Sequence, residues 1–208
     1  MTRIVKNPDE RRREIIQAAK TLFQTREYEK TTMSEIMKIL NIAKGTIYHY
    51  FSSKEELLEA VVQDLVQEDL HKKQELISRP GYKKMNALEK LKTLLTSGNI
   101  ADGNEEILEH LHTSGNTILH TRQLAYYLNE LAPLYARVVQ EGCEEGIFKV
   151  ANPLECSEFI LAGLQFLTDT GFYPWSGEQL SRRISAFPSL VEAQLGAQPG
   201  SFQFLSEL

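Results

Sequence analysis

Apolar positions recur along this chain with a helical period almost from end to end. Ile15, Ala18, Ala19, Leu22 and Phe23 form one stripe, Ile36, Ile39 and Leu40 a second, Ile47 and Phe51 a third, and Leu57, Leu58, Val61, Val62, Leu65 and Val66 a fourth. Nothing alternates at length with the period of a strand and no internal repeat is visible, so the expected fold is all-α. Caps fix the boundaries. Asn7-Pro8-Asp9-Glu10 reads as an N-cap, a proline at the first helical position and two acids at the positive helix end. Thr32 with Glu35 is a capping box that starts a second helix near Met33. Asn41 suits a left-handed C-cap, after which a short third helix runs from about Lys44 to Tyr50. Ser53 with Glu56 repeats the capping box and opens a fourth helix, with Lys54 in its first turn. The first three helices close a small core.

Beyond residue 78 the helices lengthen. Arg79-Pro80-Gly81 is a break, and the spacing predicts helices over 86–97, 104–114, 117–145, 153–170 and 177–195. Gly98, Gly115 and Gly146 serve as stops and Asn152-Pro153 as a start. Pro133 and Pro188 are expected to kink or split their helices. The tail from Gly196 to Leu208 is either disordered or a docking segment. These breaks divide the chain into a helix-turn-helix domain over 1–52, with the motif itself at about 32–51, a connecting helix over 53–78, and a larger helical domain over 79–208.

Two short helices joined by a tight turn are the outline of a DNA reader when the second offers polar side chains on its free side. Ile47 and Phe51 point that helix's apolar side inward, which leaves Lys44, Gly45, Thr46, Tyr48 and His49 outward. Lys44 suits a guanine edge or a phosphate, Gly45 a close approach to the duplex, and Thr46 a thymine methyl or a phosphate. Tyr48 and His49 suit the backbone, and Thr32 and Lys54 flanking phosphates. Arg3 and Lys6 form a basic arm ahead of the first helix. A net charge of −5 agrees with this once it is divided along the chain: ten Lys+Arg face six Asp+Glu in residues 1–51, and thirteen face twenty-two in 52–208. Local cations suffice for phosphate contact, and an acidic remainder limits nonspecific adhesion.

Residues 1–65 or so, through TTMSEIMKILNIAKGTIYHYFSSKEELLEAV, resemble the DNA-binding domain of the TetR (tetracycline-repressor) family of bacterial transcription regulators. The threonine before the second helix, the Lys-Gly-Thr-Ile-Tyr-His-Tyr-Phe run and the following Ser-Lys-Glu-Glu-Leu stand in family order. Two departures are visible. Asn41 holds a turn position that is often glycine, and Ala43 stands near an expected serine or threonine, so no polar role passes to Ala43.

The resemblance implies a homodimeric repressor on a palindromic operator of double-stranded DNA, released by a small-molecule effector still to be identified, with no cofactor and no catalytic residues. It implies a dimer face on the last two long helices, here Phe159, Ile160, Gly163, Leu167, Leu180, Ile184 and Phe187. The helix over 153–170 is apolar nearly all round and needs cover on more than one side. It also implies an effector pocket, whose candidate lining is His110, His112, His120, Tyr126, Tyr127, Phe166, Phe172, Tyr173 and Trp175.

Other chemistries find less support. No apolar run reaches a membrane span and no signal-peptide core opens the chain, which points to the cytoplasm with no membrane partner. Cys143 and Cys156 form no metal spacing and no disulfide framework. No phosphate loop, dinucleotide fingerprint, nucleophile elbow or zincin motif occurs. Glu68/His71 and Glu109/His112 each have the Glu-x-x-His spacing of a di-iron bundle, but the two further inward glutamates cannot be identified and no metal is expected. An adaptor helical domain without a DNA target fits the acidic half and leaves the basic reader helix unexplained.

Overall fold

The computed structural model describes residues 7–26, 28–98, 100, 103–112 and 116–207, and among these it is helical with no strand. Among the described residues ten α-helices follow one another: α1 (Pro8–Thr25), α2 (Met33–Leu40), α3 (Lys44–Tyr50), α4 (Lys54–Ser78), α5 (Pro80–Lys83), α6 (Ala87–Thr96), α7 (Glu105–Leu111), α8 (Thr117–Glu144), α9 (Pro153–Thr168) and α10 (Gly177–Leu195). Short 3₁₀ turns occupy Tyr28–Lys30 and Gln203–Glu207. Arg3, Lys6 and the stop at Gly115 lie outside the described residues. The chain gathers into two compact units, Met1–Gln67 with Ile100–Leu119, and Glu68–Asn99 with His120–Leu208.

The first unit is organised by its caps. Asn7 accepts from the Asp9 amide, and Pro8 occupies the first turn of α1. Thr32 and Glu35 complete their capping box, and Asn41 sits in the left-handed region at φ 50°, ψ 48°, a conformation asparagine tolerates better than most residues. The box at the head of α4 is shifted by one residue from expectation. The Ser53 hydroxyl accepts from the Glu56 amide, but the Glu56 carboxylate accepts from the amide and hydroxyl of Ser52. Ile15, Ile16, Ala19, Phe23, Ile36, Ile47, Phe51, Leu57 and Val61 form the core. Ile39 does not join it and is 60% exposed, one turn beyond Ile36 on a helix too short to bury both.

Residues far along the chain complete this core. Ile107 and Leu111 of α7 are buried in the same cluster, and Gln24 of α1 donates to the side chain of Asn104 at 2.8 Å. Helical spacing marks a helix here but cannot say that its apolar side is spent on α1.

The second unit buries Leu91, Leu94, Leu131, Leu134, Val138, Phe148, Phe187, Val191 and Leu195. Neither internal proline splits its helix: α8 runs through Pro133 and α10 through Pro188. Buried residues on both sides of each proline hold the helix in place despite the lost amide. Gly142 is needed for packing, since a Cβ there would fall on the buried ring of Phe148. The tail is a docked segment. Phe202 and Leu205 are buried, the Phe202 amide donates to Glu192, and the Lys149 amide donates to the Leu195 carbonyl.

Candidate nucleic-acid interface

α3 presents its expected side outward. Ile47 and Phe51 are buried behind it, while Lys44, Gly45, Tyr48 and His49 are exposed and Thr46 is half-buried. The Lys44 ammonium lies 5.7 Å from the centre of the Tyr48 ring, and His49 meets Tyr50 edge-on. Ala43 is the N-cap and supplies no side-chain bond, so the first amides of α3 keep their donor capacity for an outside acceptor. Gly45 is not required by the protein's own packing, because a Cβ there would meet nothing within 4 Å. A glycine in the first turn of an exposed helix, costing stability for no internal gain, fits a surface that something else approaches closely.

The flanking candidates are engaged within the protein. Thr32 donates both its amide and its hydroxyl to Glu35 and accepts from the Glu35 amide. Those bonds hold the Glu35 carboxyl below its usual range. Lys54 donates to the Tyr28 carbonyl at 3.1 Å, and its ammonium stands 4.0 Å from the centre of the Tyr28 ring. To meet phosphate, Thr32 must exchange Glu35, and Lys54 its place on Tyr28.

Tyr28 is the centre of a cluster that the sequence did not announce. Its ring is buried, touches Phe23 edge-on, and packs against the imidazole of His110 with centroids 3.8 Å apart. Glu29 lies 3.7 Å from His110 Nδ1. Loss of water lowers the His110 pKa, Lys54 lowers it further, and Glu29 and Glu55 oppose them. His110 therefore braces α7 against Tyr28 within the first unit. No local signal marks it, since Tyr28 and His110 are brought together by the tertiary fold.

The remaining effector candidates fall into small groups, His120 with Phe172 and Phe166, and Tyr173 with Trp175. His112 is exposed in the first unit. In the second unit, Tyr127 donates to Asp69 at 3.1 Å, His120 Nε2 stands 3.0 Å from Asp169, and Phe172 stacks on His120. Burial first, and Asp69 next, push the Tyr127 hydroxyl well above its ordinary range, so it stays a donor. Trp175 lies under Arg183 at 3.7 Å and touches Tyr173, while Phe166 is largely exposed and Tyr126 half-buried. A small apolar cavity in this unit is lined by Leu91, Tyr135, Val139, Ile160, Leu161 and Phe202, among others, and by none of the nine candidates. Of the Glu-x-x-His pairs, the first turns its histidine to solvent, where His71 pairs with Glu75.

On the two helices that carry the proposed dimer face, Phe159 is 69% exposed, and the neighbouring Phe166 and Leu190 are 53% and 58% exposed. Ile160, Gly163, Leu167, Leu180 and Ile184 are half-buried. Phe187 departs from expectation: it is 6% exposed and belongs to the subunit core, because it lies on the side of α10 that also buries Val191 and Leu195.

Known proteins place this architecture. The family described as "Bacterial regulatory proteins, tetR family" matches residues 15–61, and the one described as "Tetracyclin repressor-like, C-terminal domain" matches residues 99–190. The chain is 27% identical over 149 residues to the HTH-type transcriptional regulator YfiR of Bacillus subtilis (strain 168), covering 70% of this chain and 72% of that one. It is 27% identical over 165 residues to the HTH-type transcriptional repressor KstR2 of Rhodococcus jostii (strain RHA1), covering 78% and 76%. Among solved structures, RolR in complex with resorcinol shares the fold with a TM-score of 0.61 at 18% identity, over 96% of this chain and 94% of that one. An outward reader helix on a capped three-helix core, a larger helical unit and both family matches lead to one conclusion: the chain belongs to the TetR family of bacterial transcriptional regulators.

Proposed function

We propose that the protein is a homodimeric repressor that reads a palindromic operator through α3 and leaves it when a small molecule binds the larger unit. The observation that carries this reading is the outward side of α3, where Lys44, Gly45, Thr46, Tyr48 and His49 stand clear of a buried Ile47–Phe51 back. These five residues are assigned the direct contacts. Thr32 and Lys54 border them and reach phosphate by exchanging Glu35 and Tyr28. The domain limits read from the sequence, a reader over 1–52, a connector over 53–78 and an effector and dimerisation region over 79–208, belong to the same proposal, as does a place in the cytoplasm beside the DNA.

A second copy is assigned to the apolar face of α9 and α10. Three large side chains more than half exposed on two adjacent helices need cover, and a Cβ at Gly163 would meet nothing within the subunit. A two-fold dimer also supplies the paired readers that a palindrome requires. Control by a small molecule follows from differential affinity: a ligand that the DNA-free form binds better lowers operator occupancy. Resorcinol in the RolR structure is one ligand of such a size.

Selection of bound duplexes from random-sequence DNA tests the proposal. A two-fold symmetric consensus, with sedimentation showing two chains per duplex or a multiple of two, is expected. Enrichment of no sequence over another at low salt overturns it.

A further inference from the structure

Among the described residues, four buried side-chain polar atoms have no hydrogen-bond partner: the hydroxyls of Tyr28 and Tyr82, Trp175 Nε1 and Gln123 Nε2. The first three terminate large apolar rings whose burial offsets the loss. Gln123 has no such compensation. Its amide carries two donors on a short stem, the residue is 6% exposed, and an unmet buried amide costs about 1–3 kcal/mol.

Its surroundings make the gap specific. Gln123 stands three residues after His120 and four before Tyr127, so all three share one stripe of α8. Each neighbour is satisfied by a carboxylate on another element of the same unit, His120 by Asp169 and Tyr127 by Asp69. Asp69 is paired in turn with the buried Lys73, which also donates to the Gly98 carbonyl at 3.0 Å. Phe172 lies flat against His120, 4.6 Å between centroids at 12°, and Phe166 packs on Phe172. One member of an otherwise paired polar stripe is thus left with an unused donor. An occupant that answers it must accept a hydrogen bond and be flat enough to lie among rings. It must also be uncharged, because an anion would be desolvated near two carboxylates, Asp69 and Asp169.

Resting on the effector-controlled reading above, we infer that Gln123 is the recognition donor of the effector site and that the effector is a small, uncharged aromatic ring bearing a hydroxyl or carbonyl acceptor. The pairs His120–Asp169 and Tyr127–Asp69 are positioning residues that hold the stripe on either side of the amide.

Thermal unfolding of the full chain with phenol, resorcinol and benzoate as probes tests the assignment, with release of selected operator DNA read on the same samples. Phenol or resorcinol is expected to raise Tm and benzoate to leave it unchanged. In Gln123→Leu the apparent affinity for the uncharged ring should fall about ten-fold or more, while the protein without probe melts no lower than the parent. Gln123→Glu, which adds a charge without changing size, carries the same test should the leucine variant fold poorly. Affinity for the ring within about two-fold of the parent in either folded variant overturns the assignment. Benzoate matching the uncharged rings, or no uncharged ring raising Tm, does so as well. A ring that binds through Gln123 and leaves the operator occupied supports this site and overturns control by release. Release that is indifferent to Gln123 does the reverse.

Discussion

The interiors of the two units differ in kind. In the first, among the described residues, Lys20 and Thr31 are the only buried polar side chains beside the apolar cluster, and the side chains with chemistry to offer stand outside on α3. In the second, Asp69, Lys73, His120, Gln123, Ser157 and Glu192 are buried alongside the apolar core. A unit that works on a duplex can keep its inside plain, because its specificity is written on its surface. On the proposed reading, a unit that recognises a small molecule carries polar groups inward, and loses stability when the partner of one is removed.

The largest test of that contrast is Asp69→Ala. It strands the buried Lys73 ammonium with neutral acceptors and removes the acceptor of Tyr127. A loss of about 3–5 kcal/mol in urea unfolding is expected, and a loss below about 1 kcal/mol would show that the inner polar groups are dispensable. Next, Lys44→Ala should weaken operator binding by about 1–3 kcal/mol while leaving stability within about 0.5 kcal/mol. Equal binding across operator variants before and after the change would remove Lys44 from the reading set. Thr32→Ala should cost about 1 kcal/mol of stability through the lost cap, visible as a lower Tm, and should also weaken operator binding by the loss of one phosphate contact, uniformly across operator variants.

The smallest effect is a pH slope. Because burial and Lys54 depress His110 below its ordinary 6.5, the unfolded chain takes up the proton first. The stabilising contribution is whole above that pH and shrinks as pH falls from there toward the depressed value. Tm measured between about pH 7.5 and 5.5 should therefore decline more in the parent than in His110→Asn. Parallel declines would show that His110 is not braced as described.

What could be read from the residues alone was whatever depends on near neighbours. The capping box at Thr32, the left-handed Asn41 and the inward Ile47 are each set within four residues, and the structure keeps all three. Helix limits after residue 86 were legible for the same reason, since glycine, proline and asparagine act locally. Distant pairings were not. Asp69 and Lys73 have the spacing of an ordinary solvated pair on α4, and only tertiary packing reveals that both are buried. The stacking of Phe172 on His120 and the inward turn of Phe187 were hidden likewise. So was the docking of Phe202 on α10, because an apolar side chain does not state which surface it will cover.

The union of α7 with the reader has a practical consequence for protein engineering. Ile107 and Leu111 plug the interior formed by α1 to α4 although some thirty residues of chain separate them from the end of α4. A chimera that borrows this DNA-binding head by splicing within the connecting helix would leave its own stopper behind, and the graft would carry an open wound around Tyr28 and its neighbour Phe23 into its new host.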